Sequence, residues 1–271
     1  MSSTFLYGRN VHANGIRQHV LRYGGRGDAL LVLPGITSPA ITWGFVAETL
    51  GKEYDVYVVD VRGRGLSSAS DDLDYSIAAC AADVPALVDA LGLERYFLLG
   101  HSFGARIAAK AAARYPAKLE RLALIDPPVS GPGRRPYPAK IDFYVDSIRR
   151  MSQGADLESI RPFMPTWTDA QLRLRAEWLH TCLPKAVTDA YDDFHRDDLH
   201  ADLPLIAIPT LLMAAGRGDV IRPEEFAEIE GLLAQVKSCW VPTAGHMIPW
   251  DDESAFFANL GDYFGTAVSV R

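Results

Sequence analysis

Short runs of apolar residues recur along the chain, and most of them end at a glycine, a proline or an acidic residue. Valine, leucine and isoleucine fill these runs without polar alternation, which is typical of parallel strands buried on both faces. One earlier run alternates apolar and polar residues and predicts a strand of the ordinary amphipathic kind. The predicted strands are Arg17–Tyr23, which alternates, and then Ala29–Gly35, Tyr54–Asp60, Tyr96–Gly100, Leu122–Asp126, Ile208–Gly216 and Cys239–Pro242.

Amphipathic helical patterns lie between many of these strands. Apolar residues repeat at intervals of three and four in Asp83–Leu91, Phe103–Tyr115, Glu224–Gln235 and Asp252–Phe264. Alternation of strands and helices is typical of a sheet with helices on both faces. The pattern therefore predicts an α/β fold with a mostly parallel, doubly wound sheet.

The segment from residue 127 to residue 203 interrupts this alternation. It has helical and proline-rich stretches but no convincing strand pattern. Crossover helices are the simpler explanation, but a crossover usually needs only a dozen or so residues. We therefore predict an α/β core formed by residues 1–126 and 204–271, and a helical cap formed by residues 127–203.

Charge and composition limit the possible partners. The 271 residues carry a formal net charge of −7, and 48% of them are hydrophobic, which is ordinary for a globular protein. Binding to nucleic acid needs a concentrated basic face, so this balance argues against it. A small anionic substrate stays possible, because a few arginines can reverse the field inside one pocket.

The cysteines and the hydropathy indicate neither a metal site nor a membrane segment. Cys80, Cys182 and Cys239 are far apart and have no zinc-ligand spacing, and we expect small core side chains rather than disulfide partners. We expect no metal and no organic cofactor. The first residues lack the apolar segment of a secretory signal, and no run approaches 18 apolar residues. The sequence thus predicts no membrane association and a cytoplasmic location.

A G-x-S-x-G motif lies between a predicted strand and a predicted helix. Its residues 100–104 are GHSFG, with Ser102 at the centre. The glycines permit a tight strand-to-helix turn that lifts a serine hydroxyl above the sheet. A glycine-rich structural turn is the alternative, but the position between strand and helix favours Ser102 as a nucleophile.

A serine hydroxyl needs a base, and His246 follows the last predicted strand. A carboxylate must then hold the histidine in the correct tautomer. Asp219 follows one strand in the sequence GRGD, and Asp126 ends an earlier strand, LALID. Both satisfy the chain order serine, acid, histidine, and spacing does not choose between them.

Acyl transfer also requires hydrogen-bond donors for the oxyanion. One is expected to be the main-chain N–H of Phe103, next to the nucleophile, and the other that of Ile36 in the loop PGITSP. A further turn after a strand, DVRGRGLS, contains Asp60 and Arg62, for which we expect structural roles.

Together these motifs closely resemble the α/β-hydrolase superfamily, and the resemblance covers the chain from PGITSP to GHMIPWD. PGITSPA, VRGRGLSS, GHSFGAR, LIDPP and GHMIPWD are similar to the group that includes N-formylmaleamate deformylase, of aerobic nicotinate breakdown, and 2-(acetamidomethylene)succinate hydrolase, of vitamin B6 breakdown. Both cleave an amide-type bond in a small carboxylated product of pyridine-ring opening. In that group the triad acid ends the strand before the cap. The resemblance therefore favours Asp126, with Ile36 and Phe103 as oxyanion donors.

The resemblance implies a serine hydrolase that deformylates N-formylmaleamate to maleamate and formate, through a formyl-enzyme on Ser102. Arg134 and Arg135 open the predicted cap, and a guanidinium suits a carboxylate, so we expect them to contact this small anionic amide. A carboxylesterase or a C–C bond hydrolase with the same triad is the alternative enzyme. A ligand receptor with a hydrolase fold is a different class, which an intact triad disfavours.

Overall fold

An eight-stranded sheet forms the centre of the computed structural model, which describes residues 3–154, 156–165 and 167–265. The strand order is β1-β2-β4-β3-β5-β6-β7-β8. The first two strands pair antiparallel, β2 also runs antiparallel to β4, and β3 to β8 are mutually parallel. The strands are β1 (Phe5–Ala13), β2 (Ile16–Tyr23), β3 (Ala29–Leu33), β4 (Asp55–Asp60), β5 (Tyr96–His101), β6 (Leu119–Ile125), β7 (Thr210–Ala215) and β8 (Val236–Val241).

Both faces of this sheet are buried, as the uninterrupted apolar runs predict. In β3, Leu31 and Leu33 pack into one hydrophobic cluster, while Leu30 and Val32 pack into another on the opposite face. All four side chains are almost fully buried. A strand that is covered on both sides has no polar face, and this explains the absence of alternation. The predicted α/β fold with a mostly parallel sheet is confirmed.

Helices cover both faces of the sheet and extend beyond its carboxyl edge. They are α1 (Gly44–Leu50), α2 (Ile77–Leu91), α3 (Phe103–Arg114), α4 (Ile141–Ser152), α5 (Leu157–Ile160), α6 (Asp169–Leu179), α7 (Pro184–Arg196), α8 (Leu199–Asp202), α9 (Pro223–Leu232), α10 (Ile248–Asp251) and α11 (Glu253–Phe264). Short 3-10 helices occupy Ala40–Trp43, Arg161–Phe163 and Leu203–Leu205.

Two elements near the amino terminus have no counterpart in the sequence prediction. β1 is an edge strand whose residues are mostly exposed, so its side chains give no buried stripe to detect. α1 is only seven residues long and follows directly on a 3-10 helix. Neither element contributes a side chain to the site described below.

The predicted cap segment is helical in the part that the structure describes. Between residues 127 and 203 it contains α4 to α8 and, outside residues 155 and 166, no strand. Helix α4 packs on α6 and α7, and this segment follows directly on the end of β6. The division into core and cap remains a prediction, and its outer limits at residues 1–2 and 266–271 lie outside the described residues. In the described ranges, no helix combines the length and the hydropathy needed to cross a membrane.

Candidate active site

Ser102 lies at a sharp turn between β5 and α3. Its φ of +54° and ψ of −117° are rare for a residue with a Cβ, and such strain concentrates at functional sites. The turn needs both motif glycines. A Cβ on Gly100 would lie 2.2 Å from the carbonyl oxygen of Gly104, and a Cβ on Gly104 would lie 1.9 Å from that of Leu33. The turn thus holds the Ser102 hydroxyl above the sheet at the start of a helix.

The structure joins Ser102, His246 and Asp126 by hydrogen bonds. The Ser102 Oγ lies 2.9 Å from His246 Nε2, and His246 Nδ1 lies 2.6 Å from Asp126 Oδ2. Asp126 is fully buried, and its Oδ1 accepts a second hydrogen bond from the main-chain N–H of Ala215 at 3.1 Å. A carboxylate held in this way fixes the proton of the imidazole on Nδ1. The other nitrogen, Nε2, is then free to accept the serine proton.

The alternative acid, Asp219, has a different set of partners. Its carboxylate accepts a hydrogen bond from Arg222 Nε at 2.8 Å and lies 3.8 Å from an Arg135 guanidinium nitrogen. The hydrogen bond from Arg222 lowers the pKa of Asp219. Its side chain is 56% exposed, although the residue borders the cavity above Ser102. The sequence left Asp126 and Asp219 as alternative partners of His246, and the structure pairs Asp126 with it.

Arg64 connects the two segments expected to carry the oxyanion donors. Its Nε donates to the carbonyl oxygen of Ile36 at 3.0 Å, and its guanidinium carbon lies 4.8 Å from the centre of the Phe103 ring. A third contact, from Nη2 to the carbonyl of Ala186 at 3.1 Å, reaches α7 in the cap segment. Arg64 is buried, and sequence reasoning did not single it out. We infer that it fixes the spacing between the Ile36 loop and the start of α3.

His101 contacts the main chain of His246. Its Nε2 lies 2.9 Å from the main-chain oxygen of His246, and the two rings are 5.0 Å apart. Burial lowers the pKa of His101 to about 3, so the ring is neutral at neutral pH. A neutral ring must donate its Nε2 proton to that carbonyl. His101 therefore holds the loop that carries His246 without placing a second positive charge beside it.

A cavity of about 380 Å³ opens directly over Ser102. Its wall is mainly apolar, with a few polar groups. The core contributes Gly35, Ile36, Thr37, Ser38, His101, Ser102, Asp219, Val220, His246 and Met247, and the cap segment contributes Tyr137, Pro138, Ala139, Phe143, Tyr144, Met164 and Arg175.

Arg134 and Arg135, expected to bind the substrate, do not line this cavity. Both nitrogens at the end of Arg134 donate to Glu228, at 2.7 and 2.9 Å. Arg135 forms a two-bond pair with Glu225, at 2.6 and 2.7 Å. Their guanidinium groups are therefore already occupied by carboxylates of α9. The structure therefore places both arginines in ion pairs outside the cavity lining, whereas the sequence led us to expect contact with the substrate.

Arg175 is the cavity-lining arginine that sequence reasoning missed. It lies on α6, is almost fully buried, and hydrogen-bonds Thr37 through the carbonyl oxygen at 3.2 Å and Oγ1 at 2.9 Å. Its Nε has no partner, and no carboxylate pairs with the group in the described ranges. Burial lowers the pKa of Arg175 because the charged form is desolvated. A buried cation without a counter-ion is costly, so its side of the cavity suits an anion.

In residues 3–154, 156–165 and 167–265, no group of three or more histidine, cysteine or acidic side chains is placed to hold a metal ion.

The fold and the sharp turn at Ser102 define a class of protein, and comparison with known proteins gives the same class. A model of the alpha/beta hydrolase fold family matches residues 28–253, and the chain belongs to that family. Among its relatives, N-formylmaleamate deformylase of Pseudomonas putida is 60% identical over 96% of this chain and 97% of its own length.

Two solved structures extend the comparison. The crystal structure of the N-formylmaleamic acid deformylase of Pseudomonas putida S16, a serine-to-alanine variant, is 53% identical and has a TM-score of 0.90. It covers 94% of this chain and all of that one. The structure of E-2-(acetamidomethylene)succinate hydrolase covers 97% of this chain and all of its own, with a TM-score of 0.80. At 21% identity it supports the fold only.

Proposed function

We propose that this chain hydrolyses N-formylmaleamate to maleamate and formate, as a step of nicotinate degradation, with Ser102 as nucleophile. The relative that is 60% identical carries the name of this activity. In the structure, the observation that carries the proposal is the composition of one cavity. Ser102 and His246 line it together with Arg175, and His246 is hydrogen-bonded behind the wall to the buried Asp126. A cytoplasmic location remains a prediction of the sequence.

In the acylation half of the reaction, Ser102 attacks the formyl carbon while His246 Nε2 takes the serine proton. The main-chain N–H groups of Ile36 and Phe103 bind the oxyanion that forms. The C–N bond then breaks, and His246 gives its proton to the departing nitrogen. Maleamate leaves, and the formyl group remains on Ser102 as an ester. Asp126 stays ionised throughout and stabilises the imidazolium.

Deacylation repeats these roles with water. His246 removes a proton from a water molecule, which attacks the formyl ester, and the same two N–H groups bind the second oxyanion. The ester bond breaks, His246 returns the proton to the Ser102 oxygen, and formate is released. Each cycle consumes one water molecule and leaves the enzyme unchanged.

In this proposal Arg175 binds the carboxylate of the substrate. Arg175 lines the cavity that also contains Ser102, and its Nε has no hydrogen-bond partner, so the guanidinium can hold the far end of a short chain while the formyl end reacts. A charge-assisted hydrogen bond is worth about 1.5–3 kcal/mol, or roughly ten- to a hundredfold in kcat/KM. Substrates without a carboxylate lack this hydrogen bond and its contribution to kcat/KM.

The test compares formate release from N-formylmaleamate with hydrolysis of neutral p-nitrophenyl acetate. Arg175→Gln should lower kcat/KM for N-formylmaleamate about ten- to a hundredfold and leave the neutral ester within about threefold. Arg134→Ala is the matched control, because neither Arg134 nor its partner Glu228 lines the cavity, and it should stay near wild type on both substrates. No formate from the wild-type protein would refute the proposed function. Equal losses on both substrates would remove only the role of Arg175.

A further inference from the structure

Two tyrosines of the cap segment place hydroxyl groups on the wall of the cavity that Ser102 and Arg175 also line. Tyr137 and Tyr144 both line the cavity and both are almost fully buried. The Tyr144 hydroxyl donates to the Tyr137 hydroxyl at 3.3 Å. Tyr137 then has its own proton left to donate. Neither hydroxyl has a role in the reaction as described so far.

Packing and cavity lining tie the tyrosine pair to the reaction site. The Tyr137 ring packs on Phe194, with ring centres 5.1 Å apart, and Phe194 packs on Phe103, the residue after Ser102, at 6.0 Å. The Tyr137 hydroxyl meets that of Tyr144, and both residues line the same cavity as Ser102 and Arg175. Burial raises the pKa of both phenols, so both keep their protons at neutral pH.

The main chain and packing hold Tyr137 in place. Its N–H donates to His195 Nε2 at 3.3 Å, and its ring centre lies 5.1 Å from that of Phe194 and 6.2 Å from that of Tyr191. The last two residues belong to α7. The main-chain hydrogen bond and the two ring contacts keep the Tyr137 side chain at the cavity wall, so its hydroxyl is preorganised for a ligand.

The polar groups of this cavity match those of N-formylmaleamate. That molecule carries a formyl group, then an acyl oxygen on the carbon next to the nitrogen, and a carboxylate at its far end. With the formyl carbon at Ser102 and the carboxylate at Arg175, the acyl oxygen needs a donor between the two ends, and the tyrosine pair supplies the hydroxyl groups that the cap segment contributes to the wall. This matching depends on the proposed function.

We propose that Tyr137 donates a hydrogen bond to the acyl oxygen of the departing amide, and that Tyr144 positions and polarises Tyr137. When the bond between the formyl carbon and nitrogen breaks, its electron pair moves to nitrogen and spreads onto that acyl oxygen. His246 then supplies the proton that completes the amide of maleamate. Tyr137 keeps its own proton and stabilises the charge while it develops. The 3.3 Å contact between the two hydroxyls can shorten at that stage.

This role makes the enzyme selective for a formyl group on an acylated nitrogen. A leaving group that is already stable as an anion gains nothing from the tyrosine pair. p-Nitrophenyl formate is such a probe, and it forms the same formyl ester on Ser102 as N-formylmaleamate does. Any defect in the oxyanion donors or in deacylation therefore lowers turnover of both substrates. A defect in leaving-group stabilisation lowers turnover of N-formylmaleamate only.

The experiment measures kcat/KM of Tyr137→Phe, Tyr144→Phe and the double variant with both substrates. We expect Tyr137→Phe to lose about ten- to a hundredfold on N-formylmaleamate and to stay within about twofold on p-nitrophenyl formate. Tyr144→Phe should show a smaller loss with the same selectivity. The double variant should be no worse than Tyr137→Phe, because Tyr144 acts through Tyr137. Tyr96→Phe is the matched control, since its buried hydroxyl has no hydrogen-bond partner.

Each result decides one proposal. Equal losses on the two substrates, or no loss on either, would overturn the role of Tyr137. Additive losses in the double variant would overturn the positioning role of Tyr144. If wild-type protein hydrolyses p-nitrophenyl formate but releases no formate from N-formylmaleamate, the proposed function fails, and the assignment of Tyr137 fails with it. Thermal unfolding of each variant checks that the fold is intact.

Discussion

Replacement of Asp126 by asparagine is expected to trap His246 in the wrong tautomer. Both oxygens of the Asp126 carboxylate accept hydrogen bonds. Oδ1 accepts one from the N–H of Ala215, and Oδ2 accepts one from Nδ1–H of His246. An asparagine has only one oxygen for these two donors. The N–H of Ala215 belongs to β7 and cannot turn, so the amide oxygen should face it. The amide NH₂ then points at Nδ1 of His246 and can only donate to it.

The cost of this reversal follows from the proton that His246 must accept. With Nδ1 accepting a hydrogen bond, the imidazole proton lies on Nε2, the atom 2.9 Å from Ser102 Oγ. A protonated Nε2 cannot act as a base towards serine. The corresponding change in a serine protease with the same triad geometry lowers kcat about 10⁴-fold. A loss of that order is expected for Asp126→Asn, with little change in KM.

Asp219→Asn is the matched control for this experiment. It changes an acid of the same chain order that borders the same cavity, but its partner is Arg222 in a largely exposed pair. Exposed pairs are worth at most about 1 kcal/mol, so less than about fivefold in kcat is expected. Steady-state formate release and p-nitrophenyl ester hydrolysis measure both variants. A folded Asp126→Asn protein within tenfold of wild type, or a larger loss for Asp219→Asn, would refute the reasoning.

Two further predictions concern the nucleophile and its support. Ser102→Ala should lower kcat by several orders of magnitude without unfolding the protein, and near-normal turnover of either substrate would exclude Ser102 as the nucleophile. The buried neutral His101 should make folding sensitive to acid. The pKa of His101 is about 3 in the folded protein, below its unfolded value. The neutral ring therefore contributes fully to the free energy of unfolding above pH 6.5, and this contribution is lost as the pH falls. Each pH unit below 6.5 should remove about 1.4 kcal/mol, or about 2 kcal/mol by pH 5. Urea unfolding at pH 7 and pH 5 should therefore show a smaller loss for His101→Gln than for wild type, and equal losses would contradict a neutral buried ring.

The sequence could predict the strands that carry the serine and the acid because both strands are buried on two sides. β5 and β6 are adjacent and parallel, with His101 opposite Ile125, so Ser102 and Asp126 leave the sheet at the same level. Neighbouring carboxyl ends in a parallel sheet meet at one edge. The choice between Asp126 and Asp219 as the partner of His246 depends on more than the order of the strands. Asp219 lies four residues beyond the end of β7, in a loop whose path the sequence does not specify.

The arginines illustrate where sequence reasoning ends. Arg134 and Arg135 are adjacent and begin the predicted cap, and for that reason the sequence indicated a contact with the substrate. Their partners in the structure are glutamates on α9, about 90 residues away in the chain. No local pattern reveals such an ion pair. Arg175 lies in RLRAEW, where spacing alone gives the ordinary charged face of an amphipathic helix. Only the packing of α6 against the loop at Thr37 buries it.

This contrast separates two levels of specificity in the site. The serine and the acid that we propose to take part in breaking the bond come from the ends of core strands, where backbone geometry restricts the choice: the serine is strained between two close-packed glycines, and the carboxylate is tied to a neighbouring strand. The residues that we propose to recognise the substrate come from the cap segment, where helix packing decides which side chains face inward. A relative with the same core and a different cap should therefore keep the ability to form an acyl-serine while losing the preference for a carboxylate and an acylated nitrogen. On this reasoning, Tyr137, Tyr144 and Arg175 together distinguish a deformylase of this kind from an esterase better than the triad does.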